Sequence, residues 1–334
     1  MMTQTDPQTG PAAPVAEAHG QPPRALWSVA PSRAELRPAQ EGEGVALEML
    51  FSGISRGTER LVHQGVVPAS EHARMRAPFQ EGSFAFPVKY GYSAVARVVE
   101  GPARGQVVFA LHPHQTRFRL PEGNVVPLPA ALPPARAILG ANMETALNIV
   151  WDSRAMAGDR IAVLGAGVVG ALVAYLCARL PGSEVTLSDI NPARAGLASA
   201  LGARFAPPEA LPAAQDVVIH ASASAAGLQR AFEIAAPEAR IIEASWHGDA
   251  AVPLPLGGAF HSRRLQLVSS QVGALPPAQA ARWTFRRRLS KALELLCDPR
   301  LDALISGETA FSEIAPVYTG ILTAPETLCH RIRY

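Results

Sequence analysis

Cysteine is scarce in the 334-residue chain, and Cys177, Cys297 and Cys329 stand far apart in no paired spacing. That argues against a disulfide framework and against a cysteine-rich zinc lobe, and a reducing cytoplasm fits such usage. An excess of charge is missing too. Charged residues make up 17% of the chain and the formal net charge is +2, so broad electrostatic binding to nucleic acid or to a membrane is not expected. No basic residue precedes Arg24 and no apolar core follows the start, which speaks against a secretory signal. Residues 1–23, rich in Ala, Pro, Gln and Thr, read as a disordered tail. The uncharged stretch 161–178 is only about as long as the shortest membrane span. Gly165, Gly167 and Gly170 break it near its start, so it reads as a buried strand running into a buried helix.

What is present suffices for two domains of globular composition, with 48% hydrophobic residues. From Arg24 to about Pro129, strand-like runs at 44–51, 92–100, 106–111 and 124–128 are separated by Gly and Pro. They predict an antiparallel barrel-like or sandwich-like domain. After Pro134 the rhythm changes. Ile138, Met143, Leu147 and Val150 recur at helical steps over 135–151. Strand-like segments at 160–164, 184–188, 216–221, 240–244 and 265–269 then alternate with helix-like ones at 168–180, 192–201 and 225–235. Nearly continuous apolar strands in that alternation predict a parallel sheet covered on both faces. A helix with a basic face follows at 282–296, then a short helix at 312–322 and a last strand near Tyr334. The division expected is 24–134 with 300–334 in one domain and 135–299 in the other.

Gly165-Ala-Gly-Val-Val-Gly170 directly follows the strand 160–164 and opens an apolar helix. In that setting each glycine has a reason. The first makes the tight turn, the second lets a pyrophosphate approach the backbone, and the third lets the helix pack on the strand. The helix N-terminus at Val168 and Val169 offers unpaired N–H groups to phosphate. Asp189 ends the next strand about 20 residues on, where a carboxylate accepts the ribose hydroxyls of NAD and opposes a 2′-phosphate. Arg194 is the nearby cation that would soften this preference. The other reading is a glycine-rich turn with no cofactor.

A β-rich domain, a Rossmann domain and a short return segment together resemble the medium-chain dehydrogenase/reductase superfamily of zinc-type alcohol dehydrogenase-like proteins, over nearly all the chain after Arg24. Ser52-Gly-Ile-Ser-Arg-Gly-Thr-Glu59 is similar to the segment that supplies the first catalytic zinc ligand, and 89–101 to the Gly-His-Glu segment that supplies the second. The first string is also similar to that of the bacteriochlorophyllide hydroxyethyl dehydrogenases. The resemblance implies an α/β fold with a GroES-like catalytic domain and a doubly wound Rossmann domain. It implies an NAD cofactor, a small alcohol/carbonyl substrate, and a homodimer paired through the edge strand 265–269. It places Arg56 near the cofactor pyrophosphate and adds Thr145 to the cofactor contacts. The departures are as informative. Ser55 stands where the family has a ligand Cys, Tyr92 and Ser93 where it has His and Glu, and Ala141 near the third ligand. No metal is expected at these positions, because catalytic zinc takes Cys, His or carboxylate side chains.

Hydride transfer from an alcohol leaves an alkoxide whose charge must be stabilised or whose proton must be supplied. Tyr92 is the first candidate donor and His112 the second, with Ser55 and Thr58 orienting the substrate. Tyr92 also reads as a strand aromatic whose hydroxyl bonds backbone. His112, His114 and Glu144 form a conceivable replacement ligand set, or else two loop histidines bonded to backbone. Arg282, Arg286, Arg287, Arg288 and Lys291, with Trp283, read as a solvated helix face or as a holder for an acidic group. Two other functions stay open: an NADPH-dependent quinone or enone reductase, and an NAD(H)-binding sensor without turnover.

Overall fold

The computed structural model describes residues 22–334. The tail expected at 1–23 lies outside them, apart from its last two residues. Six parallel strands form one sheet: Arg160–Leu164, Glu184–Ser188, Arg204–Ala206, Gln215–His220, Ala235–Glu243 and Gln266–Ser269. Numbered along the chain, they lie side by side as 3-2-1-4-5-6. The winding therefore reverses between the first strand and the fourth, and that reversal opens a crevice beyond their carboxyl ends. Ile161, Ala162 and Val163 are fully buried. With helices on both faces, no position from Ile161 to Leu164 looks outward, which is why the sequence there does not alternate. Gln266–Ser269 forms one edge of the sheet.

A second sheet runs in the order Ile305–Ala310, Cys329–Arg333, Val45–Ser55, Ala94–Val98, Val107–Ala110 and Val126–Pro127, with Arg117–Leu120 also paired to Val45–Ser55. Cys329 lies opposite Ser55 in register, so the C-terminal strand buttresses the start of the site. The strand Ile305–Ala310 carried no sequence signal. It sits at a sheet edge, half exposed, and reads as polar Ser-Gly-Glu-Thr. A smaller sheet joins Arg24–Ala30 to Arg33–Pro38 and to Val88–Lys89.

The helix expected over 135–151 is two pieces, Pro134–Ala137 and Gly140–Ser153. Ser93 Oγ donates to the Ile138 carbonyl, so that acceptor serves the β-rich domain instead of the helix. Gly140 is needed at the restart, because a Cβ there would lie 2.7 Å from the Phe109 ring. The longer helix holds the two sheets together. One core runs from Val163 and Leu172 through Met143 and Ile138 to Phe109, and each large side chain buried in it contributes about 1.5–3 kcal/mol. The basic run at 282–296 is not a single solvated face. Arg288 on the helix Phe285–Leu295 is among the most buried side chains, while Arg282, Arg286 and Arg287 are exposed and Lys291 is half-buried. Among the described residues no helix is long and apolar enough to cross a membrane.

Candidate active site

The glycine turn has the geometry its sequence implies. Gly165 takes φ +110°, and a Cβ there would lie 2.8 Å from the backbone of Ala221 and Ser222, at the end of the fourth strand. A Cβ at Gly170 would stand 1.9 Å from the Gly165 carbonyl oxygen. At Gly167 the Cβ direction is open space, with nothing within 4 Å. Gly167 caps the helix Val168–Cys177, whose first N–H groups, those of Val168, Val169 and Gly170, have no carbonyl within the helix. Asp189 closes the other side. Its Oδ2 accepts the Ala166 N–H at 2.8 Å and its Oδ1 the Asn191 N–H at 2.9 Å. Each oxygen keeps a lone pair for a further donor. The adjacent Ser188 hydroxyl is buried and has no partner. An open cradle, free helical N–H groups, an acceptor at the strand end and an orphaned hydroxyl fit the adenosine and pyrophosphate of a dinucleotide.

In the β-rich part, Ser55 ends the long strand Val45–Ser55 and caps the helix Arg56–Gln64. Its hydroxyl accepts a hydrogen bond from Asn142 Nδ2 at 3.2 Å. The Tyr92 phenol lies beside the Ser55 and Thr58 hydroxyls, whose O–H groups would favour its ionised form. Burial and the nearby Glu59 charge push that phenol up to about 12, against the opposing effect of the two hydroxyls. Tyr92 thus stays a protonated donor through the neutral range. Behind it, Glu59 is fully buried. Its Oε1 accepts the Ser55 N–H at 2.7 Å, much as a capping glutamate reaches back to the N-cap. Its Oε2 accepts Tyr318 Oη at 2.6 Å and His114 Nε2 at 3.0 Å. Burial pushes the Glu59 carboxyl up, yet the imidazole and these hydrogen bonds outweigh it and leave the group below its ordinary value. The result is a fixed buried anion beneath the phenol.

The structure brings Tyr92, Ser55 and Thr58 together, and the residue that completes the cluster is Asn142, not Ala141. One residue along a helix turns the side chain by about 100°, a difference that matching by sequence cannot resolve. The other predicted residues have partners of their own. His112 stacks on Phe118 at 3.9 Å, and its Nδ1 bonds the Pro113 carbonyl. Burial, with Lys89 nearby, pushes its imidazole down to about 3. The Thr145 hydroxyl donates to the Ala141 carbonyl one turn back. Arg56 donates to the carbonyls of Leu322, Pro325 and Thr327, and Arg194 to those of Pro325 and Glu326, so both guanidiniums grip one loop. His112, His114 and Glu144 do not form a ligand set. His114 is bound to Glu59 and lies 2.7 Å from Ser52 Oγ. Glu144 pairs with Arg288 at 3.0 Å. Arg288 also donates to the Val272 carbonyl at 2.6 Å, tying its helix to the loop after the edge strand.

No family model matches the chain. An L-threonine 3-dehydrogenase from Rhizobium rhizogenes is 37% identical over 87 residues, 25% of this chain. The match spans about a quarter of that relative's length (24%). Solved structures align over nearly the whole chain. A protein from E. coli CFT073 described as a short chain alcohol dehydrogenase, complexed with NADH, has a TM-score of 0.75 at 14% identity, covering 93% of this chain and 99% of that one. A protein from Sinorhizobium meliloti 1021 described as a zinc-binding dehydrogenase, bound to NADP, gives 0.73 at 18% with the same coverage. The 2R,3R-butanediol dehydrogenase of Bacillus subtilis gives 0.73 at 15%, again covering 93% and 99%. The chain therefore has the two-part fold, β-rich and Rossmann, of these solved dehydrogenases.

Proposed function

We propose that this chain is an NAD-dependent oxidoreductase that moves a hydride between nicotinamide and a small alcohol/carbonyl pair, with the Tyr92 phenol as proton donor. The observation that carries the reading is the presence of two halves in one chain. A glycine turn and Asp189 lie at the switch point of the parallel sheet, and a cluster of neutral donors lies at Tyr92, Ser55 and Asn142. These three offer a phenol, a hydroxyl and an amide. That set does not fit catalytic zinc, which takes thiolate, imidazole or carboxylate, so no step is assigned to a metal there. When bound, the cofactor supplies or accepts the hydride.

The protein's share is position and protons. Asp189 receives the ribose hydroxyls, and the N–H groups of Val168 and Val169 receive the pyrophosphate. Tyr92 donates to the carbonyl oxygen as it gains charge, while Ser55 and Thr58 hold the phenol in place. Glu59, anchored by His114 and Tyr318, fixes the turn that carries Ser55. His112, turned into the core against Phe118, acts in packing. The edge strand Gln266–Ser269 pairs two chains into a homodimer, since an unpaired edge is a ready template for another strand. The working compartment is the cytoplasm.

The test is titration with NADH and NADPH, read by tryptophan fluorescence. One NADH per chain is expected, with NADPH weaker by about tenfold or more (about 1.4 kcal/mol). Asp189→Ser should weaken NADH and narrow that gap. NADPH bound as tightly as NADH would favour a quinone or enone reductase, and no binding of either would end the reading. Light scattering that gave a monomer would remove the dimer.

A further inference from the structure

His220 is the last residue of the fourth Rossmann strand and Glu243 the last of the fifth, and the two lie opposite each other in register. His247 follows four residues on, in the segment that leaves the sheet. Their side chains converge. His220 Nδ1 lies 2.7 Å from Glu243 Oε2, and His247 Nε2 lies 3.4 Å from the same oxygen. One ligand atom from each falls within 4.8 Å of the others, the one such His/Cys/Asp/Glu group among the described residues. The two imidazoles are near parallel, 18° apart.

One atom of this group is out of balance. His247 Nε2 is closed off from solvent and has no hydrogen-bond partner. A buried polar atom left in that state costs about 1–3 kcal/mol. A proton on His220 satisfies one side of the Glu243 carboxylate, while His247 Nε2, 3.4 Å from the same oxygen, lacks hydrogen-bond geometry. A cation between the three would use all of them.

The surroundings are those of a supported site. His220 Nε2 lies 2.7 Å from Ser222 Oγ, so with Nδ1 giving its lone pair to a cation, Nε2–H donates to the serine. Glu243 Oε1 accepts the Ser245 N–H at 2.8 Å, which orients the carboxylate. Outer contacts of this kind hold metal-binding histidines and carboxylates in place. Tetrahedral zinc with ligands at about 2.0–2.1 Å separates neighbouring ligand atoms by roughly 3.3 Å. The His220–Glu243 separation of 2.7 Å would have to open by about 0.6 Å, the His247–Glu243 separation of 3.4 Å already matches, and the ligand atoms of all three lie within 4.8 Å of one another. Two imidazoles and one carboxylate also select against calcium and magnesium, which take oxygen ligands.

We propose that His220, Glu243 and His247 bind one zinc-class divalent cation, with the fourth position left to water or a ligand oxygen. The site shares no residue with the Ser55–Tyr92–Asn142 cluster. It stands at the carboxyl end of the sheet, on the segment that crosses to the β-rich part. Trp246 packs with Tyr92 against the cluster of Val62, Phe84 and Tyr90. A Cβ at Gly248 would lie 2.7 Å from the Val66 carbonyl oxygen. A cation there would clamp the fourth and fifth strands to the segment that closes on Tyr92.

The test uses the full chain, stripped with a chelator and dialysed, and does not depend on cofactor binding. Cobalt(II) is titrated as the probe and followed by its visible absorption, and zinc by equilibrium dialysis with elemental analysis. The expected result is one metal per chain with an intense, tetrahedral-type cobalt spectrum. His247→Ala and Glu243→Gln should abolish that spectrum, and Ser222→Ala should weaken affinity by about 10–100-fold. Thermal unfolding of each metal-free variant checks that it folds, and His247→Gln replaces the alanine variant where that one does not. No bound metal in the stripped wild type, or equal binding in wild type and the folded His247 variant, overturns the proposal.

Discussion

Tyr92→Phe removes one hydroxyl and keeps the ring, which packs edge-on against Tyr90 with centroids 5.9 Å apart. The Asn142 bond to Ser55 survives, so the cluster loses its donor without losing its shape. One hydrogen bond to an oxygen that gains charge in the transition state is worth about 10²–10³ in kcat, or about 2.7–4 kcal/mol. The expected effect on carbonyl reduction is a fall of that size in kcat, with KM and NADH affinity within about twofold of wild type. The phenol is pushed up to about 12. It therefore keeps its proton across the neutral range, and the fold-loss should be the same at every pH tested there. The assay is steady-state NADH oxidation with the best carbonyl from a broad panel. A kcat within threefold of wild type would refute the assignment. So would a loss confined to KM, because that would place the hydroxyl in ground-state binding.

Two further outcomes follow from the packing. Arg288→Met leaves the buried Glu144 carboxylate without its partner, which costs about 3–5 kcal/mol. At about 2.1 cal/mol/K per residue over 334 residues, that is a fall in Tm of roughly 4–7 °C. Burial holds the Glu144 carboxyl above its ordinary value even with Arg288 opposing. The folded state thus binds that proton more tightly than the unfolded chain, and this contribution to stability falls as pH rises through the carboxylate range. Without Arg288 the folded value rises further, so thermal unfolding should show a larger loss at pH 8 than at pH 5; equal losses would count against the pairing. Gly170→Ala puts a methyl 1.9 Å from the Gly165 carbonyl oxygen. It should destabilise by about 1–3 kcal/mol and weaken NADH by more than tenfold in fluorescence titration, whereas unchanged NADH affinity would remove the turn from the binding site.

The Rossmann half was legible because its signals are local. Residues 160–164 and 184–188 are strands at the predicted bounds; in the first, buried on both faces, Ile161–Leu164 is an unbroken apolar run, and in the second the β-branched Val185 and Thr186 precede Leu187. The glycine spacing and Asp189 follow from the same short stretch of chain. What stayed hidden depends on contacts between distant segments. Asn142 meets Ser55 across 87 positions, and Glu59 meets Tyr318 across 259. No periodicity reports such pairs. Arg288 looked like part of an exposed basic run because its partner Glu144 lies 144 residues away. His112 and His114 flank one proline, yet one stacks on Phe118 and the other bonds to Glu59. Their sequence neighbourhood suggested a shared task that the fold divides. His220, Glu243 and His247 carry no sequence signal for a similar reason: the register of two strands brings the first two together.

The most direct test of the account follows the hydride itself. NADH carrying deuterium at the transferable ring carbon is incubated with the protein and the carbonyl panel, and the products are read by mass spectrometry. The account predicts deuterium at the carbinol carbon of at least one alcohol product, in proportion to the NADH consumed, and a corresponding loss of product in Tyr92→Phe. Saturable NADH binding with no label in any product would contradict it and identify a nicotinamide sensor in its place.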